Sequence, residues 1–173
     1  RLATGQGTDS FLGSDLAIED FEGYNGRVSD YQWTYDGTQD VFLPFHNHNA
    51  LDLATDLPEE ADGYQYVDFG GHGGCFPKTQ WELRKSYRLV GEPRDPSHPI
   101  QKRIMMIDAQ TFTIPRSAIF DRKGELWRSF TICQAYPDDH HDINEGSGVS
   151  IDDCFMMMNV QQNHCTTGQF KGL

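Results

Sequence analysis

Basic residues are scarce in this sequence, and the charge balance excludes whole classes of partner. Lys and Arg number 14 against 26 Asp and Glu, so the net charge is −12 at neutral pH. Nucleic-acid phosphates need a basic stripe and an anionic membrane surface needs a polybasic segment, and the sequence has neither. It also has no run approaching the ~20 apolar residues that a membrane-spanning helix requires. We therefore expect a soluble protein with no nucleic-acid partner.

The sequence has no initiator methionine and no signal peptide. It begins at Arg1, which leads us to expect that a further part precedes this chain in the full-length protein. A signal peptide is removed from a mature exported protein, so its absence does not identify the compartment. The cysteines are the better guide.

Cysteine is also scarce, and the four residues (Cys75, Cys133, Cys154 and Cys165) are widely spaced. The paired Cys-x-x-Cys of a structural zinc site is missing. An even number favours two disulfides in an exported protein, with three possible connectivities. We expect Cys154–Cys165 to close a short loop and Cys75–Cys133 to tie a long one. Four buried thiols in a cytosolic protein are the alternative.

Motifs for a catalytic nucleophile or a cofactor are missing. There is no Gly-x-Ser-x-Gly elbow, and the glycine run at 70–74 lacks the lysine of a phosphate-binding loop. No cofactor is therefore expected. His46 and His48 would share one face of a strand, while His140 and His141 lie among aspartates that could help to hold a divalent cation. We favour a solvated polar loop over this metal site.

Residues 80–136 are predicted to form an antiparallel β-meander. Polar and apolar residues alternate over residues 81–90, and the further strands are expected at 102–107, 112–120 and 126–135. Turns of two to five residues force neighbouring strands to run antiparallel. The sequence therefore predicts a mainly β protein with long loops and little helix.

The rest of the chain shows weaker patterns. Residues 1–30 are expected to be a loop-rich segment with a short helix at most. Asp36-Gly37 predicts a hairpin turn within a sheet domain over residues 31–136, because both turn positions favour positive φ. Residues 137–173 are expected to be a loop-rich, disulfide-tied segment. The apolar run at 155–158 is its main feature.

Alternation separates an apolar from a charged strand face. The charged residues, which include Arg84, Arg88, Arg103, Arg116 and Arg128, are expected to form a solvated sheet face. The alternative is that some of them line the mouth of a curved sheet. The apolar face is either an ordinary core or the wall of a cavity for one apolar ligand. Its candidate ligand-binding residues are Trp81, Leu83, Tyr87, Leu89, Phe112, Ile114 and Phe130.

Several short stretches also resemble a known family. They are Tyr31-Gln32-Trp33, Phe42-Leu43-Pro44-Phe45 with Asn47, Trp81-Glu82-Leu83-Arg84, Lys102-Arg103-Ile104-Met105-Met106-Ile107-Asp108 and Asp121-Arg122-Lys123-Gly124-Glu125-Leu126-Trp127. In this order and spacing, they resemble an uncharacterised family of Gram-negative exported proteins of the outer-membrane lipoprotein-sorting type.

The resemblance implies a curved antiparallel sheet closed by helices, a half-barrel similar to the carriers LolA and LolB. It also implies a periplasmic location, a longer full-length protein and a partnership with transporters of the resistance-nodulation-division (RND) type. The leading hypothesis is thus a non-enzymatic periplasmic carrier for a lipid-like or apolar ligand. The alternatives are a structural or interaction subunit of a larger exported assembly and, last, a metal-dependent hydrolase using the histidines named above.

Overall fold

The computed structural model describes residues 7–46, 66–139 and 142–170. Helical structure in this described part is limited to 3-10 turns, the longest being Ile18–Gly23, and none has the length and apolar character of a membrane span. The strands are β1 (Tyr31–Leu43), β2 (Phe45–His46), β3 (Phe69–Gly70), β4 (Phe76–Pro77), β5 (Glu82–Pro93), β6 (Ile100–Asp108), β7 (Arg116–Asp121), β8 (Leu126–Ala135), β9 (Ile151–Asn159) and β10 (His164–Gln169).

The predicted meander is confirmed. The large sheet has the order β1-β5-β6-β7-β8-β9-β10, and β5 to β8 lie side by side in antiparallel register. Between β7 and β8, Gly124 has a φ of 83°, and its N–H donates to the Asp121 carbonyl at 2.9 Å. Glycine adopts this left-handed conformation without steric cost. β7 begins later than predicted because the turn continues past Thr111: Phe112 has a φ of 59°, and its N–H donates to the Asp108 carbonyl at 2.9 Å.

The predicted hairpin at Asp36-Gly37 is wrong. β1 runs through this dipeptide as one strand, and both of its halves pair with β5. The register shifts between Tyr35 and Thr38, and Gly37 has a φ of 89°. A glycine with positive φ fits a β-bulge as well as a tight turn, and here it bends the strand instead of reversing it.

The sheet extends beyond the predicted boundary at residue 136. β9 pairs with β8 and β10 pairs with β9, which corrects the expectation of a loop-rich C-terminal segment for residues 151–169. β9 does not alternate in sequence because it is buried on both faces: Cys154, Met156, Met157 and Asn159 are all buried. A strand covered on both sides has no period of two.

The expected disulfide pairing is also wrong. Cys75 is bonded to Cys165, which links the segment before β5 to β10. In the β9–β10 hairpin Cys165 lies opposite Met158, four residues from Cys154. At ~3.3 Å per residue this separation of roughly 13 Å exceeds the reach of a disulfide. Cys133 and Cys154 face each other on β8 and β9 as buried free thiols, and burial with a mutual hydrogen bond raises the pKa of Cys154.

Strand register divides the side chains between two faces of the large sheet. The covered face, which includes Arg103, Ile119 and Phe130, packs against residues 7–30. The opposite face, called the groove face, includes Arg88, Met106 and Arg116, whose Cα atoms are cross-strand partners. The main core lies on the covered face and contains Leu16, Tyr31, Ile100, Ile119, Phe130, Ile132 and Met157.

A buried charge cluster holds the N-terminal segment on the covered face. Asp20 is fully buried and pairs with Arg103 at 3.3 Å and with Arg128 at 2.9 Å. Glu19 reaches the Arg103 guanidinium at 2.6 Å. The expectation that Arg103 and Arg128 are solvated is therefore wrong: the two carboxylates neutralise them, which is the condition for burying a charge.

A second buried ion pair joins β5 to the end of β6. The Arg84 guanidinium donates to both Asp108 carboxylate oxygens, at 2.6 and 3.0 Å, and lies 4.2 Å from the centroid of the Phe45 ring. Arg84 is only 7% exposed, so it too is not solvated as expected. Burial alone would raise the pKa of Asp108, but the Arg84 hydrogen bond and the backbone N–H groups of Thr111 and Gln110 outweigh it and hold the pKa below the usual value.

This lowered pKa makes the folded protein less stable at acidic pH. The pKa of Asp108 is lower in the folded protein than in the unfolded chain. The ionised carboxylate therefore contributes its full share of the unfolding free energy above about pH 4, and this share is lost as the pH falls through the folded-state pKa. We expect the urea midpoint to fall between about pH 5 and pH 2, and to fall less steeply in Asp108→Asn. If the urea midpoint fell equally steeply with pH in both proteins, Asp108 would not be the source of this acid sensitivity.

Candidate functional site

A groove of about 280 Å³ lies on the groove face. Side chains from five neighbouring strands, β1, β5, β6, β7 and β8, line this one depression. Strands lie ~4.8 Å apart, so a flat sheet would separate β1 from β8 by roughly 19 Å. The sheet must therefore curve toward this face. The lining residues are Val41, Arg88, Ile104, Met106, Arg116, Ser117, Ala118, Leu126 and Ser129.

A contact across β5 agrees with this direction of curvature. Gln39 on β1 donates from Nε2 to the Met106 sulfur on β6 at 3.2 Å, although β5 lies between the two strands. The two long side chains lean toward each other over β5 on the groove face. We therefore take the groove face as the concave face of the sheet.

The floor of the groove is apolar. Ile104, Ala118 and Ser129 are consecutive cross-strand partners on β6, β7 and β8. Ala118 has the smallest side chain of this row, so it leaves a hollow between its larger neighbours. Val41 lines the groove from β1, and Leu126 lines it from β8, the strand that carries Ser129. Such a surface can hold a chain of methylene groups, since each CH₂ removed from water contributes about 0.8 kcal/mol.

Two arginines border this apolar floor, and they differ in their partners. Arg88 on β5 and Arg116 on β7 both lie opposite Met106. Arg88 forms an ion pair with Asp36 in the β1 bulge. Arg116 is exposed and has no ion pair or hydrogen bond within the described ranges. The groove thus combines an apolar floor with one uncompensated positive charge.

The ligand-binding residues predicted from sequence lie away from this groove. Along β5, alternate side chains point to opposite faces of the sheet. Arg88 points to the groove face, so the odd-numbered residues Leu83, Tyr87 and Leu89 point to the covered face. Phe130 is buried in the main core on that same face. Trp81 precedes β5 by one residue. The two remaining residues, Phe112 and Ile114, lie in the connection before β7.

Part of the predicted set forms an exposed aromatic patch where the covered face extends beyond the N-terminal segment. The Tyr87 and Phe112 rings stack with centroids 6.3 Å apart, and Tyr35 lies 6.3 Å from Tyr87. Leu83 is 62% and Phe112 is 69% exposed. We call Tyr35, Phe42, Leu83, Tyr87 and Phe112 the aromatic patch; Phe42 is the cross-strand partner of Leu83. An exposed apolar patch of this kind is typical of a contact surface.

The predicted metal site is not brought together by the described residues. His48, His140 and His141 lie outside them, and His46 is described only by its backbone. Within ranges 7–46, 66–139 and 142–170, no cluster of three or more His, Cys, Asp or Glu side chains could hold a metal ion. The histidine hypothesis therefore stays a prediction.

Sequence reasoning named Arg88 and Arg116 among the charged strand residues but missed most of the apolar groove lining, for an identifiable reason. We assigned a single apolar face from the alternation in β5, and the apolar side chains of that alternation lie on the covered face. The signal for a second apolar face was in β6, where Ile104, Met105, Met106 and Ile107 are apolar at both parities. A strand with apolar side chains on both faces indicates that each face packs against protein or ligand.

Comparisons with known proteins agree with this architecture. The family described as "Protein of unknown function (DUF1329)" matches residues 1–172. The curated "Uncharacterized protein PA3922" of Pseudomonas aeruginosa is 24% identical over 125 residues, which cover 72% of this chain and 25% of that protein. The chain therefore spans about a quarter of this relative's length.

Two solved structures have the same fold. A candidate outer membrane lipoprotein-sorting protein domain from Vibrio parahaemolyticus matches with a TM-score of 0.55 and 14% identity, covering 96% of this chain and 53% of that one. A DUF1329 family protein from Desulfovibrio piger matches with a TM-score of 0.56 and 15% identity, covering 96% and 50%. The chain spans about half of each, and the fold resemblance to lipoprotein-sorting domains is confirmed.

Proposed function

The chain belongs to the DUF1329 family, and from this premise we propose that it is a non-enzymatic carrier that holds a lipid-like or otherwise apolar ligand in the groove. The observation that carries the proposal is the apolar hollow around Ala118 on the concave face of a sheet with a lipoprotein-sorting-like fold. Barrels and half-barrels of this size hold one small apolar ligand against their inner strands.

The chemistry of the groove supports binding more than catalysis. Its lining residues are four aliphatic residues, one methionine, two arginines and two serines. Neither a general base nor a nucleophile paired with one is among these residues, as acid–base or covalent catalysis would need. The groove can therefore desolvate and retain an apolar molecule without transforming it.

Filling the groove tests this function. We expect delipidated protein to bind a fluorescent fatty acid saturably, and Ala118→Trp to weaken binding by at least about tenfold because the indole occupies the hollow. Trp is well tolerated in strands, so the fold should persist. Fluorescence titration gives the Kd, and thermal unfolding checks the fold of the variant.

Leu83→Glu is the matched control, since Leu83 lies on the other face and is 62% exposed. It should leave the Kd unchanged. The reverse pattern, in which Leu83→Glu weakens binding and Ala118→Trp does not, would place the ligand on the face predicted from sequence. Absence of saturable binding would contradict a carrier function altogether.

A carrier of this kind is expected in the periplasm or another exported compartment. The disulfide between Cys75 and Cys165 supports this location, because disulfides persist in oxidising compartments. The outer-membrane lipoprotein-sorting description of the Vibrio parahaemolyticus domain supports it as well.

A second candidate function is contact with another protein, for which an RND-type transporter or a subunit of an exported assembly is the expected partner. The aromatic patch carries this candidate, because Leu83 and Phe112 are largely exposed. We expect Leu83→Glu/Phe112→Glu to reduce co-purification with a co-expressed RND-type transporter, whereas Ala118→Trp should not. Equal recovery of the parent and the double variant would contradict this contact.

A further inference from the structure

We infer that the groove selects a single-chain amphiphile with an anionic head group, of the fatty-acid class, and that Arg116 binds its carboxylate. This inference rests on the proposed carrier function and names the ligand class for the same groove. It begins from the charge balance of the chain, in which 26 acidic residues face 14 Lys and Arg. Despite this excess of carboxylates, Arg116 forms no ion pair within the described part of the chain.

The environment of Arg116 leaves its guanidinium free for a ligand. Its two cross-strand partners, Met106 and Thr131, are uncharged. The other groove arginine, Arg88, is already neutralised by Asp36. A planar guanidinium with five N–H donors matches a carboxylate with two parallel hydrogen bonds. Arg116 is therefore the group in the groove best suited to bind an anionic oxygen pair.

The position of this charge gives the ligand a direction. Arg116 begins β7, Ala118 follows two residues later, and Phe120, the partner of Leu126, comes after four. At ~3.3 Å per residue, the apolar floor thus extends roughly 13 Å from the charge. A head group at Arg116 would place the chain along β7 over Ala118 toward Leu126. This is the polarity of an amphiphile and not of a uniformly apolar molecule.

The size of the groove favours one chain over two. Its volume of about 280 Å³ lies just below the usual range of ligand pockets, roughly 300 to 1,000 Å³. Gln39 adds a second donor near the head-group end, since its amide N–H currently meets only the Met106 thioether, a weak acceptor. A carboxylate would be a stronger acceptor for the same N–H.

Dodecanoate and its methyl ester test the inference, because they share a chain and differ in charge. We expect the parent protein to bind dodecanoate at least about tenfold more tightly than the ester. Arg116→Gln should abolish this preference while retaining ester binding. Arg122→Gln is the matched control, since it removes the same charge from the exposed β7–β8 turn, and it should keep the preference. Isothermal titration calorimetry measures all of these affinities.

The outcomes separate this inference from the proposed function. Equal affinities for acid and ester, or equal effects of Arg116→Gln and Arg122→Gln, would overturn the head-group assignment while the carrier function stands. Tighter binding of a short diacyl phosphatidic acid than of dodecanoate would overturn the single-chain assignment. If neither acid nor ester binds the parent protein, the carrier function and the inference both fail.

Discussion

Replacing Asp20 with asparagine is expected to lower the free energy of unfolding by about 3–5 kcal/mol, the usual result of removing one member of a buried ion network. Asp20 is fully buried between Arg103 and Arg128. Glu19 would still neutralise Arg103 at 2.6 Å. Arg128, which is only 5% exposed, would be left with the Asp15 carbonyl at 3.4 Å. Its buried charge would thus lose its carboxylate, and the N-terminal segment would lose one of its polar attachments to the sheet.

Urea unfolding followed by tryptophan fluorescence measures this effect. The control is Asp68→Asn, which removes a carboxylate from the exposed ion pair with Lys78. Exposed pairs contribute little because water and salt screen them, so this variant should unfold at nearly the same urea concentration. Similar losses in both variants would contradict a special role for the buried network.

Removing the Cys75–Cys165 disulfide is expected to cost about 4–5 kcal/mol of unfolding free energy. The two cysteines are 90 residues apart in sequence, and the entropy lost by the unfolded chain increases with the length of the closed loop. The bond also attaches the segment before β5 to β10, the last strand of the sheet order. A Cys75→Ser/Cys165→Ser double variant should therefore unfold at a much lower temperature than the parent protein under oxidising conditions.

Reductant provides the control for this prediction. Dithiothreitol should lower the melting temperature of the parent protein to that of the double variant and leave the double variant unchanged. A further decrease in the double variant would mean that Cys133 and Cys154, which face each other as free thiols, form a stabilising bond of their own. That result would contradict the disulfide assignment.

The meander was predictable from sequence because its information is local. Alternation in β5 and the turn at Gly124 need only neighbouring residues to be interpreted. The strand β9 was not predictable in this way, because a strand buried on both faces shows no alternation. The bulge at Gly37 was missed for a related reason: positive φ at a glycine is compatible with a turn or a bulge, and only the pairing of both halves with β5 distinguishes them.

The candidate site was less predictable because it depends on contacts between distant residues. In sequence, Arg103 and Arg128 have the pattern of surface charges. Their carboxylate partners, at residues 19 and 20, are more than 80 positions away in the chain. The packing of these partners against the sheet makes the face of Phe130 an ordinary core and leaves the opposite face as the concave one. The disulfide depended in the same way on strand register, which puts Cys165 opposite Met158. Register is set by long-range pairing, which a pattern of single residues does not contain.

Photo-crosslinking tests the central claim, that the concave groove holds a single-chain amphiphile, most directly. A fatty acid carrying a photoreactive group near its chain end would be bound to the folded protein, irradiated and mapped by mass spectrometry. We predict saturable labelling of peptides that contain Met106, Ala118 or Leu126, competed by unlabelled dodecanoate and lost in Ala118→Trp. Labelling confined to Leu83 and Phe112, or labelling that does not saturate, would contradict it.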